Sequence, residues 1–215
     1  MGRVTNGAAF GLAVCLLATA CGGEKPGADR VMAEQQCDGT LSPEAARALE
    51  TVLNTERFSH DPRGGLERAT GELVEDYPES WRRMPGHSLC RVSPPTGREE
   101  AEIKFRLLRR DGDLPGGRHA ADLHPYSMGV EALSGPRAAQ LYVRCVSPRL
   151  EGSDKRPALI MAELDFRWSK LPDTAPIREA HLTILHSATL AVVRKLGCED
   201  DAGLAEKPVL KPLPE

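Results

Sequence analysis

Four cysteines, Cys37, Cys90, Cys145 and Cys198, stand more than fifty residues from one another in a chain of 215 residues. A structural zinc site takes its thiolates from clustered pairs such as Cys-x-x-Cys, and no two of these four are close enough in sequence to form one. Two disulfides satisfy the same residues, provided the chain leaves the reducing cytoplasm. Four cysteines allow three pairings. The order of predicted elements puts Cys37 with Cys90 and Cys145 with Cys198 first. A helix entered at Ser42 can fold back onto the strand that holds Cys90, and the last helix must return to the strand that holds Cys145.

The N-terminus supplies the compartment. After Arg3, residues 8–20 form an apolar run that ends in Ala18-Thr19-Ala20, followed by Cys21 and Gly22-Gly23. A basic start, an apolar stretch and small residues before the cut make a secretory signal. With a cysteine at the cut, the motif resembles the lipobox of bacterial lipoproteins, although Ala18 stands where leucine is usual and Leu17 lies one step early. The resemblance implies a diacylglycerol on the Cys21 thiol, cleavage before it, and retention on the outer face of the cell membrane. Residues 4–23 carry no charge and are about long enough to span a bilayer. The strongly apolar part is shorter and small residues crowd its end, which favours cleavage. Cys15 then leaves with the signal, as does Arg3, taking the formal charge from −3 to −4.

Residues 21–36 are polar and rich in Gly and Pro, as a tether is. Residues 37–198 are expected to form a single α+β domain, and residues 199–215, acidic and then proline-rich, a disordered tail. Acidic and basic side chains are well mixed along the domain, which gives no reason to expect nucleic acid as a partner. Aromatic residues make up 4% of the chain, which argues against a surface that stacks bases or sugar rings.

Within the domain, Ser42 as a cap and Pro43 in the first turn open a helix with its apolar stripe on Ala45, Leu49, Val52 and Leu53, ending near Arg57. A weaker helix spans residues 66–77, stopped by Pro78. Trp81 is expected to plug the core beside it. The period then changes to two. Strands are predicted over residues 87–92, 101–107, 126–133, 139–146 and 158–168, with Ile103, Phe105 and Leu107 inward and Lys104 and Arg106 in solvent. The last two strands should pair as a hairpin. Asp173 and Thr174 offer capping oxygens to a final helix over residues 177–196, apolar on two adjoining faces and stopped by Gly197. The pattern predicts an antiparallel sheet of about four to six strands, covered by a long C-terminal helix and an N-terminal helix.

Motifs with a chemical mechanism are absent from the sequence: no Gly-x-Ser-x-Gly elbow, His-Glu-x-x-His helix, phosphate-binding Gly-rich loop or EF-hand occurs. The one suggestive polar group is Arg118-His119-Ala-Ala-Asp122-Leu-His124, with two imidazoles and a carboxylate in a glycine-rich loop. His119, Asp122 and His124 could hold a metal or move protons. A solvated connection has the same composition and no fourth ligand is evident, so neither metal nor cofactor is expected. The basic run over residues 104–110 reads as an exposed strand face. His181 and His186 lie about 140° apart round a helix and cannot chelate one ion together. His60 and His87 carry no signal.

A lipobox and tether, a cysteine before a Pro-capped helix, cysteines on an early and a late strand, and a last helix ending Leu196-Gly197-Cys198 together resemble small secreted lipoproteins of actinomycetes. Some of those resemble the extracellular sensor domains of receptor kinases. Arg91 follows Cys90 where those families often carry tryptophan. The resemblance covers nearly the whole chain through its anchor and staples, and it transfers no site residue. The anchor, the staples and the missing motifs together lead us to expect a non-enzymatic binding or sensing module held to the membrane by its N-terminal lipid, with an envelope protein or small hydrophobic ligand as partner. A carrier of lipid is the first alternative, since Met128, Met161 and the apolar last helix could line a cavity. A hydrolase or metal site on His119, Asp122 and His124 is the second.

Overall fold

The computed structural model describes Gly2 and residues 30–59, 61, 63–79, 85–108, 114 and 122–214. Cys21 and its lipobox, His60, Trp81 and His119 lie outside the described residues.

The fold begins earlier than the predicted tether allows. β1 (Arg30–Val31) pairs with β2 (Phe58–Ser59), and a 3-10 segment at Ala33–Gly39 buries Ala33 and Gln36. Residues 30–36 therefore belong to the domain. Helix α1 (Pro43–Leu53) starts as the sequence predicts: the Ser42 hydroxyl accepts from the Ala45 amide at 3.2 Å. It ends sooner than expected because Asn54 turns left-handed, with φ of 48°. Helix α2 (Leu66–Asp76) has no capping side chain of its own. Asp38 serves it from a distance, its Oδ2 accepting from the Leu66 amide at 2.8 Å. The preceding Gly65 has φ of 116°, and a Cβ there would stand 2.5 Å from that same oxygen. Only glycine leaves the carboxylate room.

One six-stranded antiparallel sheet follows. Its strands are β3 (His87–Val92), β4 (Glu100–Leu108), β5 (His124–Tyr126), β6 (Glu131–Ser134), β7 (Ala138–Cys145) and β8 (Ala158–Arg167), in spatial order β3-β4-β8-β7-β6-β5. The long hairpin β7–β8 runs in register from Ala138 opposite Asp165 to Cys145 opposite Ala158. The predicted strand over residues 126–133 divides into β5 and β6, because Gly129 at φ of 60° turns the chain between them. Ile103, Phe105, Leu141, Val143, Ile160 and Leu164 face inward and are buried. Helix α3 (Ala175–Leu196) packs over them and buries Leu182, Ile184, Leu185, Ala188, Val192 and Leu196. Gly197, with φ of 72°, ends it.

The outer face of the sheet is a lattice of ion pairs rather than a free basic face. Lys104 reaches Asp165 at 2.9 Å, Arg106 reaches Glu163 at 2.7 Å, and buried Glu102 takes Arg91 at 3.0 Å and Arg167 at 3.2 Å. Lys104 and Arg106 are thus half-buried among carboxylates. Farther along the same face Leu133, Tyr142 and Met161 form a small apolar cluster. Met128 belongs to the main core. The two methionines invoked for a carrier therefore lie in separate clusters.

Two expectations about the C-terminal part of the chain need correction. Thr174 stands at the N-cap of α3 without a capping hydrogen bond, and Asp173 binds side chains instead. Residues 199–214 are not a disordered tail. They turn through a 3-10 segment at Glu199–Gly203, bury Leu204, pass the Ala205 carbonyl to His186 and finish beside β5. There the Ser127 amide donates to the Lys211 carbonyl at 2.8 Å and the Leu213 amide to the Pro125 carbonyl at 2.9 Å. The prolines that suggest disorder suit a segment that covers a sheet edge, where few N–H groups are needed.

The structure joins Cys37 to Cys90 and Cys145 to Cys198. Peptide mapping without reductant is expected to recover those two pairs, and opening either one to cost roughly 2–5 kcal/mol in denaturant unfolding. A peptide joining Cys37 to Cys198 would refute the pairing. Ile184 is fully buried under the sheet. Ile184→Ala should lower unfolding free energy by about 2–5 kcal/mol, since truncation removes transfer energy and leaves a cavity. A loss below about 1 kcal/mol would mean that α3 is not packed as described.

Candidate functional site

One end of the sheet brings an exposed indole, a guanidinium, carboxylates and two histidines together. It is built from the start of β5, the β6–β7 turn, the end of β8 and the approach to α3. The turn is drawn tight by Gly135. Its amide donates to Ala138 at 2.9 Å, and a Cβ on it would lie 2.0 Å from the Asp122 carbonyl oxygen. Asp122 is thereby seated directly on the turn. The Phe166 amide donates to the Arg137 carbonyl at 2.8 Å and fastens the end of β8 to the same place.

Below the turn lies His181, from the second turn of α3. Its Nδ1 faces the Gly135 carbonyl at 3.0 Å, and because a carbonyl only accepts, Nδ1 carries the proton. The ring stacks on Phe166 with centroids 4.4 Å apart, and Nε2 has no partner among the described residues. Burial pushes its pKa down to about 4, against the opposing pull of the Gly135 carbonyl. The ring is neutral at physiological pH.

Beside it, His124 Nε2 lies 3.1 Å from Asp173 Oδ2, and Arg178 binds the other oxygen of that carboxylate. Arg178 Nε also donates to the Tyr126 hydroxyl at 3.4 Å, and Ser134 Oγ donates to the Arg178 carbonyl at 3.0 Å. Desolvation works to raise the Asp173 pKa, but hydrogen bonds from Arg178 and His124 outweigh it and hold the carboxyl below its ordinary value. The imidazole is one corner of a network that ties β5 to the first turns of α3.

Trp168 directly follows the end of β8. It is 65% exposed and its φ is 56°, a left-handed conformation that is rare for a bulky side chain. The alternation of β8 would put it inward with Phe166, and the left-handed turn carries it out. The indole borders a groove of about 650 Å³ shared with Asp122, Arg137, Asp165 and Arg167. Asp165 and Arg167 are committed to the ion-pair lattice. Arg137 is exposed and has no ion pair among the described residues. An aromatic face beside an uncommitted guanidinium can stack on, and pair with, an amphipathic or anionic surface.

Of the sequence candidates, Asp122 and His124 come to this end, Asp122 exposed on the groove and His124 drawn towards Asp173. Among the described residues no group of three His, Cys, Asp or Glu could hold a metal ion. His186 points away from His181, its Nε2 meeting the Ala205 carbonyl at 2.9 Å. Two groups were not legible. By its sequence pattern Trp168 reads as the last residue of a strand. His87 is clamped between Glu72 at 3.0 Å and Asp76 at 2.6 Å, fastening α2 to the start of β3. The signal for that clamp is the i, i+4 spacing of two acids on the preceding helix. Comparison with protein-family models, curated proteins and solved structures finds no match to this chain.

His181 makes folding sensitive to acid. Its pKa falls from 6.5 to about 4 on folding, so between those values the unfolded chain takes up a proton that the folded chain refuses. Its neutral form is fully accommodated above about pH 7, and stability is lost as pH falls through 6.5 towards 4. The loss between about pH 7.5 and 4.5 should be roughly 2–3 kcal/mol from this residue. His186, whose pKa burial also lowers, adds loss of the same sign. Urea unfolding across this range should show a shallower acid slope in His181→Gln than in the wild type. Equal slopes would place the titration elsewhere.

Proposed function

We propose that this chain is a lipoprotein of the outer face of the cell membrane, and that its disulfide-stapled domain is a non-enzymatic module for binding or sensing in the envelope. The observation that carries the reading is the coincidence of two independent features. A signal-like run ends at Cys21, and the four remaining cysteines of the domain are all used in disulfides. Disulfides persist outside the reducing cytoplasm, and an acylated cysteine at the end of a signal gives the route there. Two acyl chains on one residue suffice for stable attachment where one would be marginal.

The polar groups of the candidate site support binding more than turnover. His181 is buried and neutral, and His124 is engaged by a carboxylate that also binds arginine. What faces solvent is an indole, a guanidinium and a carboxylate. The partner is an envelope component that this face can recognise.

The test is direct. The wild-type protein should incorporate a metabolic palmitate label and begin at Cys21 when mature. Cys21→Ala should lose the label and accumulate as a precursor or be released to the medium. Label retained on the Cys21→Ala protein would overturn the anchor.

A further inference from the structure

The Trp168 end of the sheet is also the end at which the chain enters the domain. Arg30 pairs with Ser59, and the Ser59 amide donates to the Ser93 carbonyl at 3.0 Å. Ser93 directly follows Val92, whose neighbour on β4 is Ala101, and Ala101 in turn pairs with Phe166 on β8. Adjacent strands lie about 4.8 Å apart, so Val92 and Phe166 are separated by about 10 Å across the sheet. Trp168 is two residues beyond Phe166. A groove lined by Pro94, Pro95 and Glu99 on one side and by Ser169, Lys170 and Leu171 on the other joins the two segments. The point where the N-terminal chain departs and the exposed indole therefore share one end of the domain.

The length of that chain limits where this end can be. Residues 22–29 separate Cys21 from Arg30. Fully extended, this stretch reaches about 30 Å, and as a flexible coil it spans roughly half of that. At the coil span, a lipid on Cys21 thus holds the Trp168 end closer to the bilayer than the opposite end with Cys145 and Cys198, which lies a strand length of about 30 Å farther away. The backbone at Trp168 adds a second indication. A left-handed conformation costs a residue with a Cβ about 1–2 kcal/mol, and here it turns a large apolar ring out of the core into water. Among the described residues the indole makes no hydrogen bond that would offset that cost. An indole, with an apolar body and one N–H, is favoured at the level of lipid headgroups. Exposed Arg137 shares its groove and exposed Lys170 follows two residues later, both suited to anionic headgroups, with Asp122 as the opposing charge in the groove.

We infer that Trp168, flanked by Arg137 and Lys170, seats the domain on the lipid headgroup layer of the membrane to which Cys21 anchors it. The inference rests on the anchored reading for its geometry. Docking fixes the domain's orientation: the start of β5, the β6–β7 turn and the groove stand at the bilayer, and the Cys145–Cys198 end faces outward.

The experiment reconstitutes the full mature protein, purified from its own membranes, into phosphatidylcholine vesicles containing phosphatidylglycerol, with and without brominated acyl chains. Trp81 also emits, so the wild type is compared with Trp168→Phe, whose substitution at an exposed site should leave the unfolding midpoint unchanged. Brominated lipid should quench most of the emission that distinguishes wild type from Trp168→Phe, and that emission should be blue-shifted relative to protein in detergent-free buffer. Arg137→Glu with Lys170→Glu should reduce the quenching at least severalfold in vesicles containing phosphatidylglycerol. If mass spectrometry finds the lipid on Cys21 but the Trp168 emission is the same with and without bromine, docking is overturned and the anchor stands. If Cys21 carries no lipid yet added vesicles quench Trp168, the anchor reading fails and docking stands. Absence of both lipid and quenching overturns the two together.

Discussion

Helix α3 packs against α1, α2, the β6, β7 and β8 strands and the C-terminal segment, and the arrangement of those parts depends on it. It is buried on more than one side, because the sheet takes Ile184, Ala188 and Val192 while the N- and C-terminal segments close over the rest. A helix so enclosed would ordinarily be apolar throughout. This one carries His181, His186, Ser187 and Thr189 among its buried residues. Each buried polar group must find a partner or cost stability. Three of them do so outside the helix. Ser187 Oγ donates to the Thr40 carbonyl at 2.9 Å and accepts from the Ser42 amide at 2.8 Å, holding the entry to α1. His186 holds the returning C-terminal segment at Ala205, and His181 holds the β6–β7 turn at Gly135. Apolar packing gives the helix its place, and these polar contacts decide which loops meet it.

That division explains what could be read from the sequence. The strands β3, β4, β7 and β8 and the helices α1, α2 and α3 follow from periodicity of two or 3.6, because burial acts on side chains in regular register. Their ends were less legible, since they depend on distant partners. The cap of α2 comes from Asp38, twenty-eight residues earlier, and is visible only once the Cys37–Cys90 bridge brings that loop over Gly65. The path of residues 199–214 depends on His186 and on the free edge of β5, neither of which a composition can express. In the candidate site, Asp122 and His124 were singled out as neighbours in sequence. Asp173 engages His124 and is itself bound by Arg178, and fold topology supplies both from about fifty residues away.

Left-handed backbone marks the places where pattern and structure part. Cys37, Asp38 and Gly39 form one such run and Asp200, Asp201, Ala202 and Gly203 another, each beside a disulfide. Non-glycine residues in this region are strained unless their surroundings determine them. Asp38 is held by the Leu66 amide, and Asp201 by Arg194 at 2.8 Å. Trp168 differs from both. Its conformation is left-handed, yet its side chain is the most exposed large hydrophobic of the described domain. Structural partners account for the first two runs, and the surface is where an account of the third must be sought.

The rigidity of the surroundings bears on what such a surface can do. Beneath the groove the stacked Phe166 and His181 fill the space with no charge, and to one side the His124–Asp173–Arg178–Tyr126 network holds β5 against α3. On the other side Arg167 is held by Glu102 and Asp165 by Lys104. The walls are therefore formed before any partner arrives, and only the side chains of Trp168, Arg137 and Asp122 remain to be ordered. Binding to a preformed face avoids most of the entropy that loop ordering would take from the affinity. Under the proposed anchoring at Cys21, a short tether would replace a bimolecular encounter with a local one, and the domain would need little intrinsic affinity. On that proposal one indole and two cations would suffice to set orientation, since the contact surface of such a module can be small.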